Sequence, residues 1–147
     1  MPSLLYQSGS SGQGTLSTQT RTVLDVAATW VSQKGWLVGG KYGSDKTAYN
    51  SGSTDLTAMG PCFGFMTRKE MGFYFLATYY YTAKMTTNYT GSGYQADVGY
   101  KFDIRKISLG LQVTYKHFEF TKAGTATLNP SYVKNNIDPG ISLVFEF

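Results

Sequence analysis

The regular alternation of apolar and polar residues over long stretches is the feature that most constrains the fold of this chain. In residues 93–104, "GYQADVGYKFDI", every second residue from Tyr94 to Ile104 is apolar, and the residues between them are polar or small. Every second side chain of a β-strand lies on the same face, so this stretch predicts one long strand. Residues 18–31 show the same pattern and predict a second strand.

Alternation recurs along the rest of the chain and predicts six further strands. They lie at residues 2–7, 35–44, 54–65, 72–86, 107–120 and 132–147. Gly60 and Pro61 interrupt the fourth strand, and an interior proline implies a bulge or a lost ladder hydrogen bond. No apolar run reaches the roughly 18 residues that a transmembrane helix needs. The sequence therefore predicts an all-β chain of eight antiparallel, up-and-down strands that form a single domain over residues 1–147.

The predicted connections are of two kinds, which alternate along the chain. Short, polar connections follow the even-numbered strands, at residues 32–35, 67–70 and 104–106. Longer connections rich in Gly, Ser, Thr and Asn follow the odd-numbered strands, at residues 8–14, 45–53, 88–93 and 122–131. This sorting is typical of a bacterial outer-membrane barrel, which has short periplasmic turns and longer external loops. Several strands also exceed the about 9 to 11 residues that cross a membrane, so we expect hairpins to project on the side of the long connections.

Alternation alone leaves the direction of the apolar face open. A soluble, lipocalin-like barrel would turn Tyr94, Val98 and Phe102 inward around a ligand, whereas an outer-membrane barrel would turn them toward lipid. Aromatic residues near the short connections favour lipid, because aromatic girdles form at membrane interfaces. The predicted girdle residues are Trp30, Trp36, Phe73 and Phe102. Packing of the same aromatics in an ordinary core is the alternative.

Charged residues of both signs lie on the opposite face of the predicted strands. They comprise six cations, Arg21, Lys41, Lys84, Lys101, Lys116 and Lys134, and five anions, Asp25, Asp97, Asp103, Asp138 and Glu146. If this face points inward, the charges must nearly balance, because an unpaired charge in a dry interior is strongly destabilising. The sequence therefore predicts an interior charge network inside a membrane barrel.

The chain ends in "GISLVFEF", which combines a glycine with alternating apolar residues and a final phenylalanine: Gly140, Ile141, Leu143, Phe145 and Phe147. This ending resembles the C-terminal β-signal by which Gram-negative outer-membrane barrels are recognised for assembly. With the strand pattern, it makes the chain similar to the small eight-stranded barrels typified by OmpX and the OmpA barrel. The resemblance implies a monomer in the outer membrane, with both termini in the periplasm and no periplasmic domain. Its implied partners are the assembly machinery, membrane lipids and lipopolysaccharide.

The remaining sequence features give no sign of catalysis. His117 is the single histidine, and Glu119 stands where the His-x-Ser motif of a PagL-type lipid A deacylase would have serine. A PagP-type palmitoyltransferase also uses His, Asp and Ser, and no such partner of His117 can be assigned from the sequence. Cys62 is the single cysteine, which excludes an intramolecular disulfide and a cysteine metal site and favours a small packed residue. We therefore expect neither enzyme activity nor a cofactor or metal.

The charge pattern gives little support for nucleic-acid binding. The net charge is +4, and the 13 Lys and Arg are scattered along the chain. The start, "MPSLLYQSGS", lacks the features of a secretory signal, so, if the protein is exported, we expect this sequence to be the mature form with a Met in front.

Function follows from the expected filling of the barrel. Eight strands leave an interior that side chains can fill, so the charged face should plug the lumen. We expect a structural or cell-surface interaction role. The alternatives are a narrow channel or transporter for small solutes, an outer-leaflet lipid-modifying enzyme and a soluble ligand-binding barrel.

Overall fold

The computed structural model describes residues 2–9, 20–49, 52–67, 70–86, 88–104 and 107–146. The strands found there are β1 Pro2–Gly9, β2 Thr20–Val31, β3 Trp36–Tyr49, β4 Gly52–Met66, β5 Met71–Met85, β6 Tyr89–Ile104, β7 Ile107–Ala123 and β8 Ala126–Glu146. Each strand pairs antiparallel with the next, and β8 pairs with β1, so the sheet closes into a barrel. The predicted all-β, antiparallel, up-and-down architecture is confirmed. Across the described residues, no helix has the length and apolar character to cross a membrane.

Two irregularities interrupt the ladders around β5. The β4–β5 register shifts between Met59 and Cys62, opposite the predicted interruption at Pro61, but the extra residue lies in β5. The β3–β4 ladder runs without a shift through Pro61, so the predicted bulge is not in β4 itself. The β5–β6 register shifts between Tyr80 and Ala83. Such a bulge places an extra residue in one strand, so the side chains beyond it change faces. Nothing in the sequence of β5 had indicated this second shift.

One end of the barrel carries the tight turn between β2 and β3, as the sequence predicted. At the rim of the short connections, the Ser32 amide donates to the Trp36 carbonyl at 2.8 Å and the Gly35 amide donates to the Ser32 carbonyl at 3.0 Å. These bonds close a tight turn between β2 and β3. We call this end the lower end and the opposite one the upper end.

At the upper end, strands continue through residues that the sequence predicted to be long loops. The prediction of a long loop at residues 122–131 is wrong, because only Gly124 and Thr125 separate β7 from β8. Gly124 has a φ of 62°, a conformation that glycine adopts without steric cost. The connections predicted at 45–53 and 88–93 are shortened in the same way. Polar residues there satisfy their backbone groups by pairing across a hairpin, so the upper end is built of projecting ladders.

The barrel interior contains two apolar clusters, with charged residues between them. The lower interior cluster consists of Ala27, Val31, Leu37, Cys62, Met66, Tyr74, Leu76 and Val144. The upper interior cluster consists of Leu56, Ala58, Tyr80, Ala83, Phe118 and Phe120. The intervening layer is the part of the fold that holds the candidate site.

Candidate functional site

The middle of the barrel holds four charged side chains that are almost completely buried. Lys41 Nζ lies 2.6 Å from Asp97 Oδ2 and 3.6 Å from Asp25 Oδ2, and Lys116 Nζ lies 2.9 Å from Asp25. None of the four is more than 2% exposed. The central network, as we call Asp25, Lys41, Asp97 and Lys116, therefore consists of two cations and two anions in mutual contact.

Neutral polar groups complete the hydrogen bonding of the central network. Gln95 Nε2 donates to Asp25 at 2.8 Å and to Asp97 at 2.7 Å, while its Oε1 accepts from the Tyr80 hydroxyl at 2.7 Å. The Thr114 hydroxyl donates to Asp97 at 2.7 Å. These contacts matter because a buried carboxylate is tolerated only when its oxygens are well satisfied.

Below the central network, a tyrosine crosses the lumen. The Tyr74 hydroxyl donates to Ser142 Oγ at 2.8 Å and also contacts Gln112. Its ring lies over Gly99 and near Gly110, where a β-carbon would collide with it or approach it closely. The absence of side chains at these two positions makes room for the ring, and the ring helps to fill the lumen.

The lowest ion pair lies close to the rim. Lys101 Nζ is 2.5 Å from Asp103 Oδ2, and the Ser108 hydroxyl donates to Asp103 Oδ1 at 2.5 Å. Lys101 is buried, whereas Asp103 is partly accessible. The network thus reaches toward the lower opening.

Above the central network, a second charge cluster joins β2, β3 and β8. Arg21 donates through Nε and Nη2 to Asp45 at 2.9 and 2.7 Å, and through Nη1 and Nη2 to Asp138 at 2.5 and 2.9 Å. Lys134 Nζ lies 3.3 Å from Asp45. Arg21 and Asp138 are each 13% exposed at the side chain, so this upper charge cluster is partly accessible.

The structure changes the predicted interior network at two positions. Lys84 was expected inside and is exposed on the outer face, because the bulge between Tyr80 and Ala83 reverses the facing of the residues beyond it. Asp45 was not predicted, because the sequence placed it in a loop, yet it is 3% exposed and faces inward. Asp45 lies four residues after Lys41 on β3. Residues an even number of positions apart share a strand face, so this spacing was the signal that could have found it.

After these two changes, the interior side chains that the structure describes carry equal numbers of cations and anions. The described interior side chains include five cations, Arg21, Lys41, Lys101, Lys116 and Lys134, and five anions, Asp25, Asp45, Asp97, Asp103 and Asp138. The side chain of Glu146, also predicted inside, lies outside the described residues. Equal numbers of opposite charges are what a filled, dry lumen requires.

The outer surface of the barrel is apolar to an extent that is unusual for a surface exposed to water. Trp30, Trp36, Phe73 and Phe102, the predicted girdle, all point outward near the lower rim and are 67%, 48%, 66% and 39% exposed. Further outward residues include Val38, Phe63, Phe75, Val98, Leu109, Leu111, Val113 and Ile141. This outer belt answers the question that alternation left open, because the apolar face points out and the charged face points in.

Aromatic contacts tie the lower part of the outer belt together. Trp36 stacks on Phe63 with ring centroids 5.4 Å apart and meets Phe65 edge-on at 5.5 Å. Phe73 meets Tyr100 edge-on at 4.9 Å. These pairs connect β3 to β4 and β5 to β6, so the girdle residues pack across strands and not as isolated side chains.

The predicted assembly signal lies on β8, where it pairs with β1. Ile141 is exposed on the outer face and Leu143 and Phe145 are half-buried, while Ser142 and Val144 face inward. The β1–β8 register runs from Ser8 opposite Ile141 to Ser3 opposite Glu146. Gly140 is half-buried, and Phe147 lies outside the described residues.

His117 and Glu119 lie on the outer face in the upper half of β7. His117 Nδ1 is 2.6 Å from Asn135 Oδ1, and its ring stacks on Tyr94 at 4.7 Å. Glu119 accepts instead from the Ser131 hydroxyl at 2.6 Å. The two side chains therefore have separate partners, and the expectation of no enzyme activity stays a prediction.

The single cysteine and the potential metal ligands are the remaining reactive side chains. Cys62 is 3% exposed and belongs to the lower interior cluster, which agrees with a small packed residue. In the part of the chain that the structure describes, no group of three or more His, Cys, Asp or Glu side chains could hold a metal ion.

Comparison with known proteins shows similarity in structure alone. No protein-family model matches the chain, and no curated protein matches its sequence. The chain is similar to the outer membrane protein Ail of Yersinia pestis, solved in a phospholipid bilayer nanodisc, with 8% identity, 99% coverage of both chains and a TM-score of 0.58. OprG of Pseudomonas aeruginosa matches with 9% identity over 99% of this chain and 97% of its own, with a TM-score of 0.47. The outer membrane enzyme PagL matches with 13% identity over 99% of both chains, with a TM-score of 0.45.

The similarity to Ail shows that the chain has the fold of a small outer-membrane β-barrel. The resemblance predicted from the strand pattern and the chain ending is thus confirmed at the level of the fold. At such low sequence identity, the role of the chain must be argued from its own residues.

Proposed function

We propose that this chain spans the bacterial outer membrane as an eight-stranded barrel with a filled lumen, and that it has a structural or cell-surface interaction role. The observation that carries the proposal is the arrangement of polarity. Lys41, Asp25 and Asp97 are buried inside, whereas Trp30, Phe73 and many other large apolar side chains are exposed outside. Water as the surrounding solvent would favour the opposite arrangement, and a lipid bilayer favours this one.

The height of the outer belt fits one bilayer crossing. On β7 the outward side chains are apolar or aromatic from Ile107 to Tyr115, a span of about nine residues, and His117 and Glu119 follow. A tilted strand needs about 9 to 11 residues to cross the hydrocarbon. The strands above this level would then project from the membrane as paired hairpins.

The filled interior supports a barrel that does not conduct ions. Tyr74, Tyr80 and the central network occupy the lumen, and the upper and lower interior clusters lie on either side. An ion would have to displace buried, paired charges to pass. The function would then lie in the barrel wall and in the projecting hairpins.

The proposal is tested by reconstitution of the purified chain. We expect folding into lipid vesicles, migration on a denaturing gel that changes on heating, and no single-channel conductance in planar bilayers. A chain that stays monodisperse in buffer without detergent would refute the membrane location. Regular conductance steps would refute the filled lumen and favour the channel, and loss of acyl chains from lipid A would favour the enzyme.

Assembly in cells gives a separate test of the predicted signal at the chain end. We propose that the assembly machinery recognises Gly140, Ile141, Leu143, Phe145 and Phe147. Deletion of Phe147 should lower the amount of folded barrel in the outer membrane, while folding of the purified variant into detergent is retained. Normal assembly of the deletion variant would argue against a signal at this end.

A further inference from the structure

The outer belt is interrupted by a groove on the side formed by β2 to β5. Its larger part has a volume of about 480 Å³ and is lined mostly by apolar atoms. Small residues line it, namely Ala28, Gly40, Gly60 and Pro61, between the larger Tyr42 and Tyr81. The groove exists because these positions lack long side chains, whereas neighbouring outward positions carry aromatics.

The groove continues toward the upper end of the barrel. A second depression of about 190 Å³ shares Tyr42 and Met59 with the first, so the two adjoin. Thr57, Ala58, Thr82 and Lys84 complete its wall. The outer groove, as we call the two parts together, is therefore apolar at belt height and ends at hydroxyl groups and one cation.

The orientation of Lys84 is what gives this end of the groove its positive charge. The bulge between Tyr80 and Ala83 turns Lys84 outward, although strict alternation would have placed it inside. No ion pair joins Lys84 to another of the described residues. The carboxylate of Asp55 pairs instead with Lys46, at 3.8 Å.

We infer that the outer groove binds a lipid with a phosphorylated headgroup, its acyl chain lying along the small residues and its phosphate at Lys84. The inference rests on the membrane location proposed above. An acyl chain suits the larger part of the groove, because its lining is mostly apolar. Gly40 and Pro61 also lie at the height at which the outer belt would meet the hydrocarbon of the membrane. A lysine with neighbouring hydroxyls suits phosphate, which accepts charge-assisted hydrogen bonds.

Two variants separate the two parts of the proposed site. Lys84→Glu reverses the charge at the upper end, and Lys122→Glu makes the same change at an exposed position near the tip of the β7–β8 hairpin. Gly40→Leu fills the apolar part, and a β-carbon there meets nothing nearer than the Gly60 carbonyl oxygen at 3.9 Å, so the wall tolerates it. Ala96→Leu adds a similar side chain to the outer face away from the groove.

The experiment is native mass spectrometry of the barrel in detergent, mixed with phosphorylated lipid A or with its phosphate-free counterpart. We expect the wild-type chain to retain phosphorylated lipid A about fivefold more than the phosphate-free form. Lys84→Glu should abolish this preference, and Gly40→Leu should lower retention of both lipids. Lys122→Glu and Ala96→Leu should behave like the wild type.

The contrary outcomes are equally specific. Equal retention of the two lipids by the wild-type chain, or an undiminished preference in Lys84→Glu, would overturn the phosphate site. Unchanged retention in Gly40→Leu would overturn the acyl-chain site. Each variant is also tested for heat-modifiable migration, which reports folding. If the chain folds into vesicles and shows no lipid preference, this inference fails alone. If it does not enter vesicles at all, the proposed function fails as well.

Discussion

The middle and the upper end of the barrel interior are filled in different ways. The central network contains Asp25, Lys41, Asp97 and Lys116, which neutralise one another and are each at most 2% exposed. The upper interior cluster is instead aromatic and aliphatic: Tyr80 stacks on Phe118 at 5.5 Å, and Phe118 lies 6.3 Å from Phe120. One lumen therefore contains both a charge layer and a core like that of a soluble protein.

The difference follows the surroundings of the two regions. At belt height the outer face is apolar, so the polar residues of each strand can only face inward, where they must find partners. Above the belt the outer face carries polar residues such as Lys46, Thr57 and Glu119. The interior at this height holds both the apolar upper interior cluster and the upper charge cluster, since Asp45 pairs with Leu56 along the β3–β4 ladder. The comparison teaches that a wall with an apolar outer face forces its charged residues inward and into pairs, whereas a wall with a polar outer face is compatible with either kind of interior.

The largest expected effect comes from breaking the central network on one side. Asp25→Leu removes the carboxylate that contacts both Lys41 and Lys116, so we expect a loss of about 3–5 kcal/mol in the free energy of unfolding. Urea unfolding from lipid vesicles, followed by tryptophan fluorescence, measures it. As a control, Lys41→Met combined with Asp97→Leu removes one charge of each sign and should cost less than half as much. Equal losses in the two variants would mean that charge pairing is not what stabilises the middle layer.

A smaller effect is expected from the upper interior cluster. Phe120 is fully buried, so Phe120→Ala should lower the free energy of unfolding by about 3 kcal/mol through the cavity it leaves. The loss should concentrate in the hairpins, with faster proteolysis between residues 85 and 125 in vesicles. Thr121→Ala, at the exposed neighbouring position, serves as the control and should change neither quantity. Unchanged proteolysis in Phe120→Ala would contradict a soluble-type core at this end.

The upper charge cluster should show an intermediate sensitivity. Arg21 holds Asp45 and Asp138 together through several guanidinium hydrogen bonds, which a lysine cannot reproduce. Arg21→Lys should therefore cost about 1.5 kcal/mol of unfolding free energy and Arg21→Ala more, as measured in urea at low salt. If Arg21→Lys unfolds at the wild-type urea concentration, the fork geometry contributes nothing and charge alone suffices.

The smallest effect is expected where a charge pair lies outside the barrel. Lys46 and Asp55 are 3.8 Å apart with side chains 62% and 41% exposed. Lys46→Ala should change the free energy of unfolding by no more than about 0.5 kcal/mol, and the change should vanish in high salt. A loss as large as that from Asp25→Leu would erase the distinction between buried and exposed pairs.

Much of the fold could be predicted from the sequence, because alternation directly reports which residues share a strand face. Alternation along the strands correctly assigns the outward Trp30 and Phe73 and the buried charges Lys41 and Asp97. Lys84 was assigned to the wrong face because the alternation of faces along a strand reverses at a bulge. The extra residue in β5 leaves no clear mark in "TYYYTAKM". Bulge position depends on pairing with the neighbouring strand, which a single strand's sequence does not contain.

The upper hairpins show a second limit of sequence reasoning. Composition rich in Thr, Asn and Gly predicted a long loop at residues 122–131, yet β8 pairs with β7 almost to the turn. Asn, Gly and Pro are weak strand formers, and the partner strand alongside outweighs their preference. The same error placed Asp45 in a loop and left it out of the predicted network. The groove at Gly40 and Pro61 likewise depends on three-dimensional packing and had no sequence signal of its own.

The most direct test of the central claim uses the two tryptophans that the chain contains, Trp30 and Trp36. Both point outward near the lower rim, so in a membrane-spanning barrel they lie where the acyl chains meet the headgroups. Reconstitution into vesicles of lipids brominated at different depths should quench their fluorescence, most strongly with bromine close to the headgroup. Fluorescence that brominated lipids leave unchanged, from a chain that remains in the supernatant after the vesicles are sedimented, would contradict the membrane-spanning barrel.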